Sequence, residues 1–467
     1  MAREPFQGEG KLEAEPTVTI ARPGRLRRRI RRVLRISLTV VLIVLLVGWW
    51  RVLRIVEHDH WPLPPDAVTA AQAQETTETF VREDKGRRDD VDIAYATTTA
   101  SAVAIYPGGA QFLPAIVSDL ESAQHSIHIM MFAFTEGTWG NRIADVLMAK
   151  VASGVEVRLS VDRYGSEVYS TSSGLYTRMT EAGIEIVVND IFPLQGDGML
   201  PDPSKTWRQD EVGRADHRKL MVIDGVRAWV GGGGFEDSFY EDRFHDVFIQ
   251  VKGDIVRQMQ AVFLTSFSAY GGALPMESGA LAGYFPAQVD PGTIPVTLLQ
   301  NLPGGFVPGT QASRAVIEES ITTLDVMNPY LTDPGIIDRI VDAAKRGVRV
   351  RVVVPGTTNN WQAADALSHE YDRLLDAGVE IWEYPKVMHA KVTVADDTVI
   401  AGTINYDAWA LYRNLEVALM FEDAAVAADV RRVLVEPDIL ASTPGEPPDG
   451  FADRVRSWFW DKFTYFL

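Results

Sequence analysis

The sequence predicts an α/β protein made of two similar α/β sandwich halves related by a pseudo-twofold axis, preceded by one N-terminal transmembrane helix. Three observations predict it: an order of strands and helices that occurs twice, a near-constant spacing between its two occurrences, and one uncharged apolar run near the start. At 467 residues and 46% hydrophobic content the chain can bury more than one core, which excludes a largely disordered protein.

The apolar run ISLTVVLIVLLVGWW occupies residues 36–50, and flanking Val and Leu residues extend it to a span over 34–56. About 20 residues at helical rise cross a bilayer core, so the extended run is long enough. Arg35, Arg51 and Arg54 can snorkel toward headgroups, and Trp49 and Trp50 sit where an aromatic belt belongs. Eight arginines lie between Arg22 and Arg35, which makes residues 1–33 a basic cytoplasmic tail and places the body outside the cytoplasm. Residues 57–99, rich in Ala, Thr, Glu and Asp, read as a linker with weak local structure.

The body carries the repeat. The first half, 100–290, contains SIHIMMFAF, a helical stretch, GVEVRLSVD, AGIEIVV and DHRKLMVIDG. The second, 291–440, contains TTLDVMNPY, a helical stretch, GVRVRVVVP, AGVEIWEYP and MHAKVTVADD. Gly154 and Gly347 are 193 apart and Gly183 and Gly378 are 195 apart, whereas His217 and His389 are only 172 apart. The first half therefore carries an insertion around 190–214. Alternating apolar strands and amphipathic helices indicate a sandwich in each half, and face-to-face packing would bring equivalent strand ends together. Residues 441–467 form an aromatic amphipathic segment, suited to a membrane interface or to packing on the body or on a second subunit.

The net charge is −18, but residues 1–60 carry +6 and the remainder −24. So acidic a body is a poor partner for nucleic acid, and none is expected. There are no cysteines, hence no thiolate nucleophile, no thiolate metal site and no disulfide.

The chemistry concentrates in two short motifs. His217 and Lys219 stand two apart on a strand and so project from one face, as do His389 and Lys391. Such polar residues in apolar strands need a cavity or partners. Asp224 and Asp396 follow seven residues after each histidine, either as members of the site or as hairpin turn-formers, since Asp224-Gly225 is a strong turn signal. Two histidines can divide nucleophile and acid–base roles at a phosphodiester while two ammonium groups neutralise its oxygens. This chemistry needs no metal and no cofactor. Asp246 in FHDVFI and Glu416 in RNLEV are the candidates for orienting the imidazoles.

These paired motifs, with GTIN at 402–405 and RNLEV at 413–417, resemble the phospholipase D superfamily, and the pattern is most like bacterial cardiolipin synthase. The resemblance covers roughly residues 100–467 and includes VDRYGS, GVRVRVVVP and FHDVFIQVKG. It implies two phospholipase D-like halves, with His217 the nucleophile that forms a phosphohistidine and His389 the general acid and later base. It further implies that Lys219, Lys391 and Asn405 hold the phosphate, with Gly232 and Thr403 at the paired substrate-binding turns, and that Asp246 and Glu416 orient the histidines. The substrate class it implies is a membrane phospholipid, with transfer of a phosphatidyl group between phosphatidylglycerol molecules and release of glycerol. Hydrolysis by water is the alternative, and a non-catalytic lipid-binding scaffold the next. One departure stands out: where the family carries Gly-Gly/Ser-x-Asn, the first half reads Gly231-Gly232-Gly233-Gly234, so the asparagine expected at 234 is absent.

Overall fold

The structure, a computed structural model, describes residues 67–83, 93–189, 215–302 and 306–464. The apolar span at 34–56 and the 190–214 insertion lie outside the described residues. Among the described residues no helix is long and apolar enough to cross a membrane.

Two sheets carry the fold. The first runs Ala102–Pro107, Val247–Lys252, Arg227–Gly231, Lys219–Ile223, Ser126–Met131, Glu156–Asp162 and Glu185–Asn189. The second repeats that order as Ile294–Asn301, Glu416–Glu422, Thr398–Gly402, Val392–Ala395, Thr323–Met327, Arg349–Pro355 and Glu380–Tyr384. It gains a short strand at each edge, Thr98–Ala100 and Thr443–Pro444. In both halves three strands are parallel and joined by helices, while the motif strand runs antiparallel beside the first of them.

The local sequence accounts for these elements. Strands such as Ser126–Met131 and Lys219–Ile223 are buried at every position, which is why they read as near-continuous apolar runs. The repeated glycines end helices: Gly154, Gly183, Gly347 and Gly378 adopt φ between 90° and 95°, a left-handed conformation that a Cβ disfavours. Helix Pro334–Lys345 starts on Asp333, whose side chain accepts from the Ile336 N–H, with Pro334 in the first turn where its missing N–H is no loss.

The inner faces of the two sheets meet in a common core. Leu220, Val222, Val230 and Ile249 of the first pack in one cluster with Val392, Val394, Val417 and Leu419 of the second. Helix Ile255–Ala269 joins this cluster and is buried on nearly all sides. Two further clusters lie beneath the outer helices, one in each half. The layers are helices, sheet, sheet, helices, and the sheet-to-sheet core brings the motif strands toward each other.

Two terminal segments pack on the body. The linker is not wholly a tether: Ala73–Glu83 is a helix that buries Ala73, Thr77 and Val81, and Gln258 donates to the Val68 and Ala96 carbonyls. Its apolar positions are few and dispersed among Thr and Glu, which hid the stripe. Helix Phe451–Asp461 packs on helix Trp361–Asp376, with Trp460 edge-on to Trp361 at 5.1 Å between ring centroids and Arg454 and Arg456 paired to Asp372 and Asp365. Phe451, Val455, Trp458 and Phe459 remain exposed on its other side.

Candidate active site

His217 and His389 are each fixed where the two halves touch. Asp216 forms an isolated parallel bridge with Leu415, reinforced by the His217 N–H donating to the Leu415 carbonyl at 3.0 Å. In the equivalent place Met388 pairs in parallel with His245, and the His389 N–H donates to the His245 carbonyl at 2.6 Å. The register is the same in both bridges. Each histidine follows one bridge residue, and the carboxylate of the opposite half follows the other.

The carboxylates therefore cross over. His217 Nδ1 lies 3.0 Å from both carboxylate oxygens of Glu416, and His389 Nδ1 lies 2.7 Å from Asp246 Oδ2. A proton on each Nδ1 donates to its carboxylate and leaves Nε2 with a lone pair. Both carboxylates are fully buried, while the His217 and His389 side chains keep 12% and 11% exposure. That residual opening is what a reacting imidazole needs.

The lysines sit beside their own histidines. Lys219 Nζ donates to the His217 carbonyl at 2.7 Å and lies 4.7 Å over the Phe132 ring. Lys391 Nζ lies 2.7 and 3.1 Å from the two ring nitrogens of His389 and 3.9 Å from Asp246 Oδ2. Phe132 packs edge-on to His217, and Phe244 stacks on His389.

Burial and crowded positive charge set the protonation states. Burial, helped by Lys219 and Lys391, holds His217 well below the usual imidazole range. Burial and Lys391 lower His389 to about 3, against the opposing pull of Asp246. Burial also lowers Lys219 to about 8 and Lys391 to about 7, and it raises Glu416 to about 8. The site thus holds two neutral imidazoles beside two lysines and a glutamate, Glu416, that titrate near neutrality.

The turn residues have distinct positions. Thr403 donates through its hydroxyl to Glu416 Oε2, bracing that carboxylate. At the equivalent Gly232, an added Cβ would lie 2.7 Å from both Asp246 carboxylate oxygens and 2.9 Å from Lys391 Cδ. Gly232 thereby makes room for the second pair. Asn405 is buried, and its side-chain oxygen has no hydrogen-bond partner among the described residues.

Asp224 and Asp396 do not reach the site, which corrects their inclusion among its catalytic members. Seven residues of extended strand separate each from its histidine, about 20 Å. Both stand in hairpin turns with φ of 54° and 49°. Asp224 accepts from the N–H groups of Gln124, His125 and Ser126, and Asp396 from those of Ile321, Thr322 and Thr323. Their role is to tie each motif hairpin to the start of the neighbouring strand.

Sequence reasoning missed a second layer behind His217. On the opposite face of its strand, Asp216 and Arg218 form a buried two-point ion pair at 2.8 and 2.7 Å. Asp162 accepts from the N–H groups of Tyr164, Gly165 and Asp216, and burial pushes it up to about 7. The alternation of Asp216, His217, Arg218 and Lys219 was the available signal. His128 is buried between Glu156 and Gln260 and stacks on Phe263. His245 pairs with Asp438 at 2.9 Å and meets the site through its carbonyl.

The family model described as cardiolipin synthase, phospholipase D-like domain, matches residues 116–266 and 314–436, one stretch in each half. The chain belongs to that family. It is 29% identical over 332 residues to a cardiolipin synthase of Geobacillus thermodenitrificans, covering 69% of this chain and 63% of that protein. It is 26% identical over 373 residues to a probable cardiolipin synthase of Bacillus subtilis, covering 77% of this chain and 71% of that one. The chain thus spans a little under two thirds of the Geobacillus relative's length. In fold it is similar to a phosphatidylserine synthase of Haemophilus influenzae, with TM-score 0.58, 11% identity, and coverage of 83% of this chain and 97% of that one.

Proposed function

We propose that this enzyme is a phosphatidyltransferase, moving a phosphatidyl group from one phosphatidylglycerol to another through a phosphohistidine and releasing glycerol. The observation that carries the reading is the crossed pairing of His217 with Glu416 and of His389 with Asp246 at two equivalent bridges between the halves. Each half lacks the partner that its own histidine needs, so the machinery exists only when both are assembled.

In this reading His217 Nε2 attacks phosphorus and the bond to the glycerol oxygen breaks, with His389 delivering a proton to that oxygen. The hydroxyl of a second phosphatidylglycerol then attacks phosphorus while His389 takes its proton, and the P–N bond breaks. Lys219, Lys391 and Asn405 hold the non-bridging oxygens, where preorganised donors act on developing charge. A bound phosphodiester anion offsets the two ammonium charges, and this favours the proton that His389 must carry. Gly232 and Thr403 line the same turns and keep the carboxylates in place. The apolar span at 34–56 anchors the chain in the membrane, N-terminus cytoplasmic and body extracytoplasmic, within reach of lipid.

The test is to incubate the purified full-length protein with phosphatidylglycerol vesicles and identify the products. Cardiolipin and glycerol in equal amounts are expected. Phosphatidic acid as the main product would replace transfer by hydrolysis, and no turnover of any phosphodiester would leave a lipid-binding scaffold.

A further inference from the structure

The two halves end their motif hairpins in equivalent turns that differ in one respect. Strands Arg227–Gly231 and Thr398–Gly402 are followed by Gly232 and Thr403, whose N–H groups donate to the equivalent carbonyls of Val247 and Val417. Two residues later stand Gly234 and Asn405, and two beyond these stand Glu236 and Asp407, each preceding a short helix. Asp407 caps its helix, accepting from the Trp409 and Ala410 N–H groups at 2.8 and 2.9 Å. Glu236 occupies the same cap position with φ −135° and ψ 148°, yet its side chain makes no capping bond.

Its carboxylate goes elsewhere. A Cβ built on Gly234 would lie 2.9 Å from Glu236 Oε2, so the carboxylate occupies the space in which a side chain at 234 would begin. The Ala133 carbonyl, 2.8 Å from the same point, closes the other side. Glycine at 234 and glutamate at 236 are therefore one coupled arrangement: the first opens a space and the second fills it with a polar head.

Resting on the proposed phosphodiester chemistry, we infer that Glu236 is a phosphate-binding residue that replaces the missing asparagine, donating a hydrogen bond to a non-bridging oxygen from its protonated carboxyl group. A carboxylate would repel the anion, whereas a carboxylic acid presents an O–H much as an amide presents an N–H. The surroundings favour the acid. Burial raises Glu236 above the usual carboxylate range and Glu167 adds to this, against the opposing Lys219 and Arg243. An incoming phosphodiester anion adds a further charge of the sign that retains the proton.

The experiment compares the full-length protein with Glu236→Gln and Glu236→Ala, using bis-p-nitrophenyl phosphate, which stays monoanionic throughout. Glu236→Gln keeps the shape and a permanent donor, so at the acid end of the pH profile its KM should match that of the unaltered enzyme. As pH rises its KM should fall below that of the unaltered enzyme, because the glutamate loses its proton and the amide does not. At that acid end Glu236→Ala should raise KM about tenfold, the effect of one donor to a charged group. Equal KM in all three proteins, a lower KM in Glu236→Ala at the acid end, or a Glu236→Gln to unaltered ratio that does not change with pH would each overturn the inference. Absence of turnover in the unaltered protein would instead remove the phosphodiester chemistry on which it rests. Melting temperatures of the variants separate a folding defect from lost binding.

Discussion

Adding one carbon at Gly232 should disable the site while leaving the fold nearly intact. In Gly232→Ala the new Cβ starts 2.7 Å from both oxygens of Asp246 and 2.9 Å from Lys391 Cδ. Ordinary contact begins at 3.4 Å, so the carboxylate must withdraw by roughly 0.7 Å if the backbone holds. Asp246 is fully buried and bonded to His389 at 2.7 Å, and its Oδ1 also accepts from the Val247 N–H at 2.6 Å. A withdrawal of that size stretches the bond to His389 past 3.2 Å, where little of it remains. A hydrogen bond to a charged group contributes about 1.5–3 kcal/mol, so loss of the orienting partner should lower kcat roughly tenfold to a hundredfold. Overpacking costs about 1–3 kcal/mol of stability, which chemical denaturation will read separately. Steady-state kinetics with bis-p-nitrophenyl phosphate is the assay. Unchanged kcat with an unchanged denaturation midpoint would show that the cleft between Gly232 and Asp246 is not tightly filled, and the steric argument would fail.

Two other predictions concern charge. Lys391 and Lys219 are lowered to about 7 and about 8, so they lose their protons as pH rises through that window, and KM for a phosphodiester should climb across it; a flat KM up to pH 9 would contradict the phosphate-binding role of the lysines. Asp396→Ala should lower the denaturation midpoint without changing kcat, by about 1–3 kcal/mol for the three backbone N–H groups left without their acceptor. Burial alone would raise Asp396, but those N–H groups and Arg431 outweigh it and hold it below its usual range. Its stabilising contribution is therefore present above that range and fades as pH falls toward the lowered value, so the variant and the parent should converge in stability in strong acid. A selective loss of kcat in this variant would return Asp396 to the chemistry.

Much of this was legible because it is local. Two His-x-Lys motifs in matching strands and a repeat marked by glycines at fixed offsets require no knowledge of packing. Asp246 and Glu416 were identifiable as carboxylates that begin or interrupt apolar strands. Which histidine each one serves was not, because the pairing is decided by the bridges from Asp216 to Leu415 and from Met388 to His245, contacts between residues far apart in the chain. Asp224 and Asp396 stayed ambiguous for a related reason. A turn aspartate and a site aspartate have the same sequence context, and only the three N–H groups that converge on each one separate them. The docked helix Ala73–Glu83 was obscured by its Thr and Glu content. Glu236 is inconspicuous in the sequence, since spacing does not reveal that its carboxylate turns back over Gly234.

The proposed mechanism turns on a covalent bond between phosphorus and His217, formed at a site that neither half contains alone. The direct measurement uses His389→Ala with bis-p-nitrophenyl phosphate, whose leaving group departs without an acid. The intermediate should form and then persist, because no base remains to activate its resolution. The account predicts a burst of p-nitrophenolate equal to the enzyme present, with mass spectrometry after an alkaline quench placing the adduct on His217 and finding none in His217→Ala. An adduct on a different residue, or turnover with no adduct in any variant, would contradict it.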